Sequence, residues 1–223
     1  MAKSVSQAEW HARVNAWQDR VAKYGVERSI YHIKHQAPDF PAVTALQQQA
    51  IWPHFLAARS GLETRALDFG CGYGRWTPQL AATIGYALGV DPTPDLLTHA
   101  VATRPPLARG VLEYRLYEQG HIPAPDRHFD VLWCCMVLST VLEDRMFAAT
   151  LTELRRVLQP GALILLTDNT SREDGRPIRS RYSMSRTIAE YTRAFASWAS
   201  LRPVGDYVDR AEINTVFAGR VHV

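Results

Sequence analysis

The regular alternation of apolar and amphipathic segments from residue 65 onward constrains the fold of this chain more than any other feature. Five apolar segments are typical of buried strands, at residues 65–69, 86–90, 111–117, 129–134 and 162–167. Helical patterns fill the intervals at residues 76–84, 94–102 and 145–158. Strands that alternate with helices in this way form right-handed βαβ units. The sequence therefore predicts an α/β fold with a doubly wound, mostly parallel sheet.

The C-terminal part departs from this alternation. A helical pattern at residues 185–198 is followed by two strand-like segments at 202–207 and 213–221, which predict a final hairpin. The expected sheet then has seven strands, with an antiparallel strand at the C-terminus. We expect residues 61–223 to form the ligand-binding domain and residues 1–60 an N-terminal helical lid or extension, the whole being one structural domain.

The N-terminal region has the apolar pattern of an amphipathic helix, which packs one face on a ligand site or on the core. Apolar groups at Trp10, Val14 and Trp17 recur at helical spacing within residues 6–23, and a second helical stretch is predicted at 41–58. Between them lies a polar, aromatic segment at 25–40, which is costly to order unless it contacts a ligand or the core. We therefore predict that residues 1–40 act as a lid, with permanent docking on the core as the alternative.

Composition excludes several classes of protein. Hydrophobic residues make up 47% of the 223 residues and charged residues 21%, as in ordinary globular proteins. The formal net charge of +3 is too small and too evenly spread to indicate nucleic-acid binding, although it is compatible with an anionic small molecule. There is no apolar h-region of a signal peptide and no apolar run of about 20 residues, so no membrane association is expected. The three cysteines lack the spacing of a disulfide framework, and a cytoplasmic location is predicted.

A glycine-rich loop joins the first predicted strand to the first helix. Residues 68–74 read Asp-Phe-Gly-Cys-Gly-Tyr-Gly, and Asp91 closes the second strand. Glycine allows backbone N–H groups to approach a ligand, and a carboxylate at the end of the second strand can accept both hydroxyls of a ribose. The loop has the spacing G-x-G-x-G instead of the dinucleotide fingerprint G-x-G-x-x-G. A nicotinamide-dependent oxidoreductase is therefore the alternative and not the first hypothesis.

Residues 65–169 resemble the small-molecule branch of the class I S-adenosylmethionine-dependent methyltransferases, whose fold is Rossmann-like. The loop matches the first motif of that family, with Asp68 followed by Gly70, Cys71, Gly72 and Gly74. An acidic residue at this loop suits a cationic ammonium and sulfonium, whereas it would repel a pyrophosphate. The resemblance implies that these five residues contribute to binding S-adenosylmethionine, with S-adenosylhomocysteine as the product.

The same resemblance implies roles for five further residues. Asp91 would bind the ribose, and Pro92 would pack on the adenine ring. Glu118 would accept a hydrogen bond from the adenine amino group, and the backbone N–H of Gln119 would meet a ring nitrogen. Cys134, at the end of the fourth strand, would offer its carbonyl to the methionine ammonium. Glu118 and Pro92 depart from the family's commoner Asp and aliphatic residue.

The catalytic residues are not determined by the sequence. His32 and His35 are weak candidates for a general base because the ordinary histidine pKa lies near neutral pH, and Asp168 is a third. The pair Asp168 and Asn169 resembles that of the metal-dependent catechol-type methyltransferases. The second carboxylate of such a site is replaced by the Cys134-Cys135-Met136 segment, so we predict no metal. The adjacent cysteines are interpreted as core residues and not as catalytic thiols.

A small-molecule acceptor, methylated on oxygen or nitrogen, is the hypothesis that remains after exclusion. The segment after the fourth strand lacks the Asn-Pro-Pro-Tyr-like tetrapeptide of enzymes that act on nucleobases or glutamine amides. The paired glutamates of protein arginine methyltransferases are also missing. A non-catalytic S-adenosylmethionine-binding protein would have the same cofactor motif and stays open as an alternative. Five arginines over the expected acceptor face indicate either a solvated loop or recognition of an anion, namely Arg172, Arg176, Arg179, Arg181 and Arg186.

Overall fold

A computed structural model describes residues 5–32, 34–58, 61, 63–171 and 179–223. Its helices are α1 (Gln7–Tyr24), α2 (Val26–Ser29), α3 (Phe40–Ala58), α4 (Thr77–Ile84), α5 (Pro94–Thr103), α6 (Asp144–Val157) and α7 (Ile188–Phe195), with 3₁₀ turns η1 (Ala37–Asp39) and η2 (Leu138–Thr140). Its strands are β1 (Arg65–Phe69), β2 (Tyr86–Asp91), β3 (Val111–Leu116), β4 (Phe129–Cys135), β5 (Leu158–Ser171), β6 (Arg186–Thr187), β7 (Ala199–Asp209) and β8 (Glu212–Val221). Within the described residues, no helix combines the length and apolar character needed to cross a membrane.

The strands form one mixed sheet in the order β3-β2-β1-β4-β5-β8-β7, which confirms the predicted fold class. Strands β1 to β5 are parallel, and β8 runs antiparallel to both β5 and β7. Strand β5 is longer than the predicted segment at both ends, because Leu158 pairs with Phe129 of β4 and β8 continues to pair with β5 as far as Asn169. The short strand β6, which the sequence pattern does not predict, pairs with Thr170 and Ser171 at the end of β5.

Helices cover both faces of the sheet, and the alternation along each strand decides which helix its side chains meet. On β4, Leu132 belongs to the cluster that contains Phe195 of α7, whereas Trp133 belongs to the cluster that contains Phe55 of α3. Because all four side chains are at most 1% exposed, both faces are sealed. Strands buried on both faces carry continuous apolar runs, which is the signal that the sequence gives for β4.

The first helix begins where the sequence predicts. Ser6 accepts a hydrogen bond from the backbone N–H of Glu9, and the Glu9 carboxylate accepts from the backbone N–H of Ser6 at 2.9 Å. This reciprocal capping box satisfies two N–H groups at the helix start. The following segment, expected to be irregular throughout, contains α2 and η1. The buried guanidinium of Arg20 in α1 holds the C-terminal end of α2 by donating to the carbonyls of Ser29 and Tyr31.

Candidate functional site

A cavity lies at the carboxyl ends of β1, β2 and β4, beneath α1. Ligands of doubly wound sheets bind at this edge. The described residues that line the cavity come from five parts of the chain: Trp10, Arg13, Val14, Trp17 and Ile30; Phe69, Gly70, Cys71, Gly72, Arg75 and Trp76; Asp91, Pro92, Thr93 and Leu96; Tyr117; and Cys135, Met136, Val137, Thr140, Val141, Met146 and Thr150. Five of the ten predicted cofactor residues are among them, namely Gly70, Cys71, Gly72, Asp91 and Pro92.

Two glycines of the loop have conformations that depend on the missing side chain. Gly70 has φ +72° and Gly72 has φ +57°, in the left-handed region that favours glycine. A Cβ added to Gly70 would lie 2.5 Å from a methyl group of Val137, so the loop packs directly on the chain after β4. A Cβ on Gly72 would lie 3.2 Å from Ile30, which brings the N-terminal region against the same loop.

Asp91 is the acidic group of the cavity. Its two carboxylate oxygens accept hydrogen bonds from the backbone N–H groups of Gly72 at 3.0 Å and Thr93 at 2.9 Å. These contacts fix the carboxylate at the point where the glycine loop meets the end of β2. Burial raises the pKa of Asp91 to about 6. The carboxylate therefore remains ionised at neutral pH, with lone pairs left to accept from ligand hydroxyls.

Asp68 and Gly74 lie on the loop but do not line the cavity. The buried Asp68 accepts a hydrogen bond from the Thr77 hydroxyl at 2.6 Å, which connects β1 to the start of α4. Burial raises the pKa of Asp68 to about 7. Gly74 packs against the ring of Tyr114. In this structure both residues support the loop on the side that faces away from the cavity. Their predicted contacts with a cofactor stay predictions.

The end of β4 contributes Cys135, Met136 and Val137 to the cavity, while the side chain of Cys134 is buried in the sheet core. Successive side chains of a strand point to opposite faces, so only one of the two adjacent cysteine side chains lines the cavity. The contact predicted for the backbone carbonyl of Cys134 stays a prediction. Burial raises the pKa of the Cys135 thiol to about 12. A buried, protonated thiol agrees with the interpretation of both cysteines as core residues and not as nucleophiles.

Asp168 and Arg186 hold the cavity wall formed by η2 without lining the cavity themselves. Asp168, fully buried, accepts from the backbone N–H of Ser139 at 2.8 Å. Arg186 donates to the carbonyls of Leu138 and Val141 at 2.9 and 2.7 Å. Burial raises the pKa of Asp168 to about 6. These contacts make Asp168 a residue that positions η2. Asp168 does not line the cavity, so it does not contact a group that would react there.

In the loop after β3, Tyr117 lines the cavity, whereas the next two residues, Glu118 and Gln119, do not. Glu118 and Gln119 are exposed in the turn that follows, where Gln119 has φ +51°. The buried ring of Tyr117 packs edge-on against Trp10 of α1, with ring centroids 5.0 Å apart. The adenine contacts predicted for Glu118 and Gln119 stay predictions, since neither residue lines the cavity here.

α1 crosses the cavity and is tied down by residues 179–184, here called the strap. Arg13 donates to the backbone carbonyls of Arg181 and Tyr182 at 3.0 and 2.7 Å. The Tyr182 ring lies 5.9 Å from the Trp17 ring, and the guanidinium of Arg20 lies 4.7 Å above it. α1 and the strap therefore close one side of the cavity together. Of the five arginines noted in the sequence, Arg172 and Arg176 lie outside the described residues.

His32 and His35 do not line the cavity and lie at the turn of the β7–β8 hairpin. His35 is buried and contacts Asp209 through Nε2 at 2.8 Å, while Arg210 donates to its Nδ1 at 3.2 Å. His32 lies 3.4 Å from Glu212. Both histidines fasten the segment before α3 to the hairpin, so neither is placed to act as a base on a ligand in this cavity.

Two arginines of the cavity have N–H groups without partners. Arg75 donates to the Thr44 hydroxyl at 3.1 Å and lies 4.8 Å from the Trp76 ring, but its buried Nε has no hydrogen-bond partner. The buried Nε of Arg13 is also unpartnered. Unsatisfied buried donors are uncommon in folded proteins and indicate a ligand or water. In the described part of the chain, no group of three or more His, Cys, Asp or Glu residues is arranged to hold a metal ion.

Comparison with known proteins identifies relatives of this fold. A model of the methyltransferase domain matches residues 67–166. The chain is 27% identical over 149 residues to 2-methyl-6-phytyl-1,4-hydroquinone methyltransferase of Synechocystis sp., covering 64% of this chain and 45% of that protein. It is 36% identical over 129 residues to fatty-acid O-methyltransferase of Mycolicibacterium smegmatis, covering 54% of this chain and 43% of that protein. The chain thus spans less than half the length of these curated relatives.

Among solved structures, an S-adenosylmethionine-dependent methyltransferase from Leishmania major has the same fold. It superposes with a TM-score of 0.70 at 20% identity, covering 94% of this chain and 82% of that chain. The coverage extends beyond the region matched by the domain model and includes most of the N-terminal helices.

Proposed function

The chain belongs to the class I S-adenosylmethionine-dependent methyltransferases, and we propose that it transfers a methyl group from S-adenosylmethionine to a small-molecule acceptor. One observation carries the proposal: the glycine loop and Asp91 meet in a single cavity at the carboxyl edge of the sheet. The two curated relatives act, by their names, on a hydroquinone and on fatty acids, which supports a small acceptor. Methylation on oxygen or on nitrogen is compatible with the cavity.

The residues of the cavity fit S-adenosylmethionine. The Asp91 carboxylate suits the two ribose hydroxyls, which donate hydrogen bonds. Pro92, Tyr117 and Trp10 form an apolar, aromatic wall that suits the flat adenine ring. The unpartnered Nε of Arg75, next to the glycine loop, suits the methionine carboxylate. We propose these residues as the cofactor contacts, in addition to the loop backbone.

Methyl transfer depends mainly on the positions of the reacting atoms and on the exclusion of water. The sulfonium of the bound cofactor is already activated for loss of its methyl group. The chain has to hold the acceptor atom, the methyl carbon and the sulfur in line, and to keep the space dry. Trp17, Val141 and Met146 give the cavity apolar walls, and α1 with the strap separates it from solvent. No metal is needed for this role, so turnover in EDTA should equal turnover in Mg²⁺.

Calorimetric titration with S-adenosylhomocysteine tests the proposal. Asp91→Ala should weaken binding by about 10- to 150-fold, the effect of losing a charged hydrogen bond of about 1.5–3 kcal/mol. Gly72→Val should also weaken binding, because its side chain would crowd Ile30 and is strained at a φ of +57°. Gly161→Val and Asp95→Ala are matched controls, because Gly161 also has a positive φ, at +79°, but open space around it, and Asp95 is exposed. Undiminished affinity in both cavity variants would show that the loop is only a turn.

Two alternatives have distinct outcomes. A nicotinamide-dependent oxidoreductase would be stabilised against heat by NAD⁺ or NADP⁺ and not by S-adenosylhomocysteine. A non-catalytic binding protein would bind S-adenosylhomocysteine but turn over no member of a metabolite panel. Release of S-adenosylhomocysteine, followed for each acceptor in the panel, separates the second alternative from the enzyme.

A further inference from the structure

We infer that the acceptor is an apolar organic acid that enters the cavity in its ionised form, with Arg13 meeting its charge. This inference rests on the proposed function, because it concerns the second substrate of the same cavity. Three independent properties of the described lining residues carry it: their charge, their unpartnered donors and their lack of a base.

The charge of the cavity is positive before any acceptor binds. Among the described lining residues, Arg13 and Arg75 are cationic and Asp91 alone is acidic. The cofactor adds one further net positive charge, since its sulfonium and ammonium outnumber its carboxylate. The exposed Glu143 is the acidic group that acts on Arg13, and the pKa of Arg13 is nevertheless lowered by burial. An excess of like charge in a buried space is unfavourable, and an anionic acceptor offsets it.

The donors that remain in the cavity suit an anionic oxygen. The terminal nitrogens of Arg13 donate to the carbonyls of residues 181 and 182, which fixes its guanidinium on the cavity wall. Its Nε is buried and unpartnered. Because Arg75 adjoins the glycine loop and suits the methionine carboxylate, Arg13 is the cation left for the acceptor. Charge-assisted hydrogen bonds of this kind are about twice as strong as neutral ones.

No described lining residue is suited to remove a proton from a neutral acceptor, since burial also raises the pKa of the Tyr117 hydroxyl to about 12. His, Lys and Glu are absent from them, burial raises the pKa of the Cys135 thiol to about 12, and Asp91 serves the ribose. An ionised acid needs no base. Its oxygen lone pair forms a bond to the methyl carbon while the carbon–sulfur bond breaks and leaves its electron pair on sulfur. The products are a neutral methyl ester and S-adenosylhomocysteine, and no proton is released.

Matched probes of equal shape and different charge test this inference on the full chain saturated with S-adenosylhomocysteine. Phenylacetate and decanoate should bind at least about tenfold more tightly than phenylacetamide and decanamide, and 2-phenylethylamine should not bind. Arg13→Gln should remove this preference for the acids. The control Lys23→Gln makes the same change of charge on the exposed side of α1 and should preserve it. Tyr182→Ala loosens the strap without a change of charge, so it should weaken the binding of acids and of amides by the same factor.

Equal binding of acids and amides, failure of both acids to bind, or a preference that survives Arg13→Gln would overturn the inference. These outcomes are distinct from failure of the proposed function. A chain that does not bind S-adenosylhomocysteine in the first titration contradicts the proposed function itself, whatever the probes do.

Discussion

Two helices of the N-terminal region, α1 and α3, have similar lengths but opposite relations to the rest of the molecule. α3 is apolar on several sides, and its Ile51 and Phe55 are fully buried in the cluster that covers one face of the sheet. α1 is polar over much of its surface and directs Trp10, Arg13 and Trp17 to the cavity. The predicted extension at residues 1–60 therefore contains two different helices: α1 covers a ligand site, and α3 completes the core.

This difference divides the predicted region of residues 1–60 into parts with separate consequences. Burial against the sheet contributes to folding whether or not a ligand is present. Contacts over a cavity contribute most when the cavity is occupied, because the ligand supplies part of the surface that they bury. α3 is part of the foundation. The lid hypothesis then applies to α1 and stays a prediction, because Trp10 of α1 also belongs to the core cluster and Val14 packs against that cluster. The following four experiments test that division, in order of decreasing expected effect.

Phe55→Ala should lower the free energy of unfolding by about 3–5 kcal/mol, because it leaves a cavity beneath α3. Chemical denaturation measures this effect. Leu56→Ala is the matched control on the same helix, since Leu56 is 43% exposed and its truncation should have little effect. Similar stability of both variants would mean that α3 does not support the sheet.

Deletion of residues 1–24 should leave a cooperative unfolding transition while weakening S-adenosylhomocysteine binding by about 10- to 150-fold, the equivalent of one large buried apolar side chain. Calorimetry measures the affinity, and the melting curve measures the transition. Trp10→Ala should reproduce part of the loss, and the exposed His11→Ala should not. Aggregation or loss of the cooperative transition would instead make α1 structural, like α3.

His35→Ala should lower stability by about 1 kcal/mol and leave S-adenosylhomocysteine affinity unchanged, because its hydrogen bonds join the segment between the two helices to the hairpin at Asp209. The measurements are denaturation and calorimetry. Once an acceptor is identified, the turnover number of the variant should equal that of the parent. A large fall in turnover at unchanged stability would restore His35 as a candidate base.

The affinity for S-adenosylhomocysteine should fall as the pH is lowered through about 6, where Asp91 becomes protonated and can no longer accept from both ribose hydroxyls. Since burial raises this pKa, removal of residues 1–24 should let water reach Asp91 and shift the midpoint down toward about 4. Calorimetry over this pH range measures both midpoints. An unchanged midpoint would show that α1 does not cover Asp91.

The fold was largely predictable because its signals are local. The ends of β1 to β4 agree with the pattern within a residue or two, since continuous apolar runs mark strands buried on both faces. The glycine loop and Asp91 were predictable as well, because their spacing reflects one turn and one strand end. The extension of β5 and the presence of β6 were not predictable, because both depend on pairing with distant partners at Asn214 and Arg186.

The cavity was less predictable where its walls come from outside the central motifs. The carbonyl contact predicted for Cys134 stays a prediction. Which of the two adjacent cysteine side chains lines the cavity depends on the face that the last residue of β4 presents, and a run of apolar residues does not encode that. The turn after β3 directs Tyr117 to the cavity and its two successors to solvent, which depends on the packing of Trp10. The roles of Arg13 and the strap depend on contacts across more than 160 residues, for which one sequence carries no signal.

A site covered by a helix also imposes an order of events in time. Under the proposed function α1 lies over the bound cofactor while Arg13 holds the strap, so we expect this helix to lift when the product leaves. We expect release of S-adenosylhomocysteine to be slower than methyl transfer, as in many enzymes with a closing segment. The first turnover would then appear as a rapid burst, and the long residence time of the product would set the steady rate that follows.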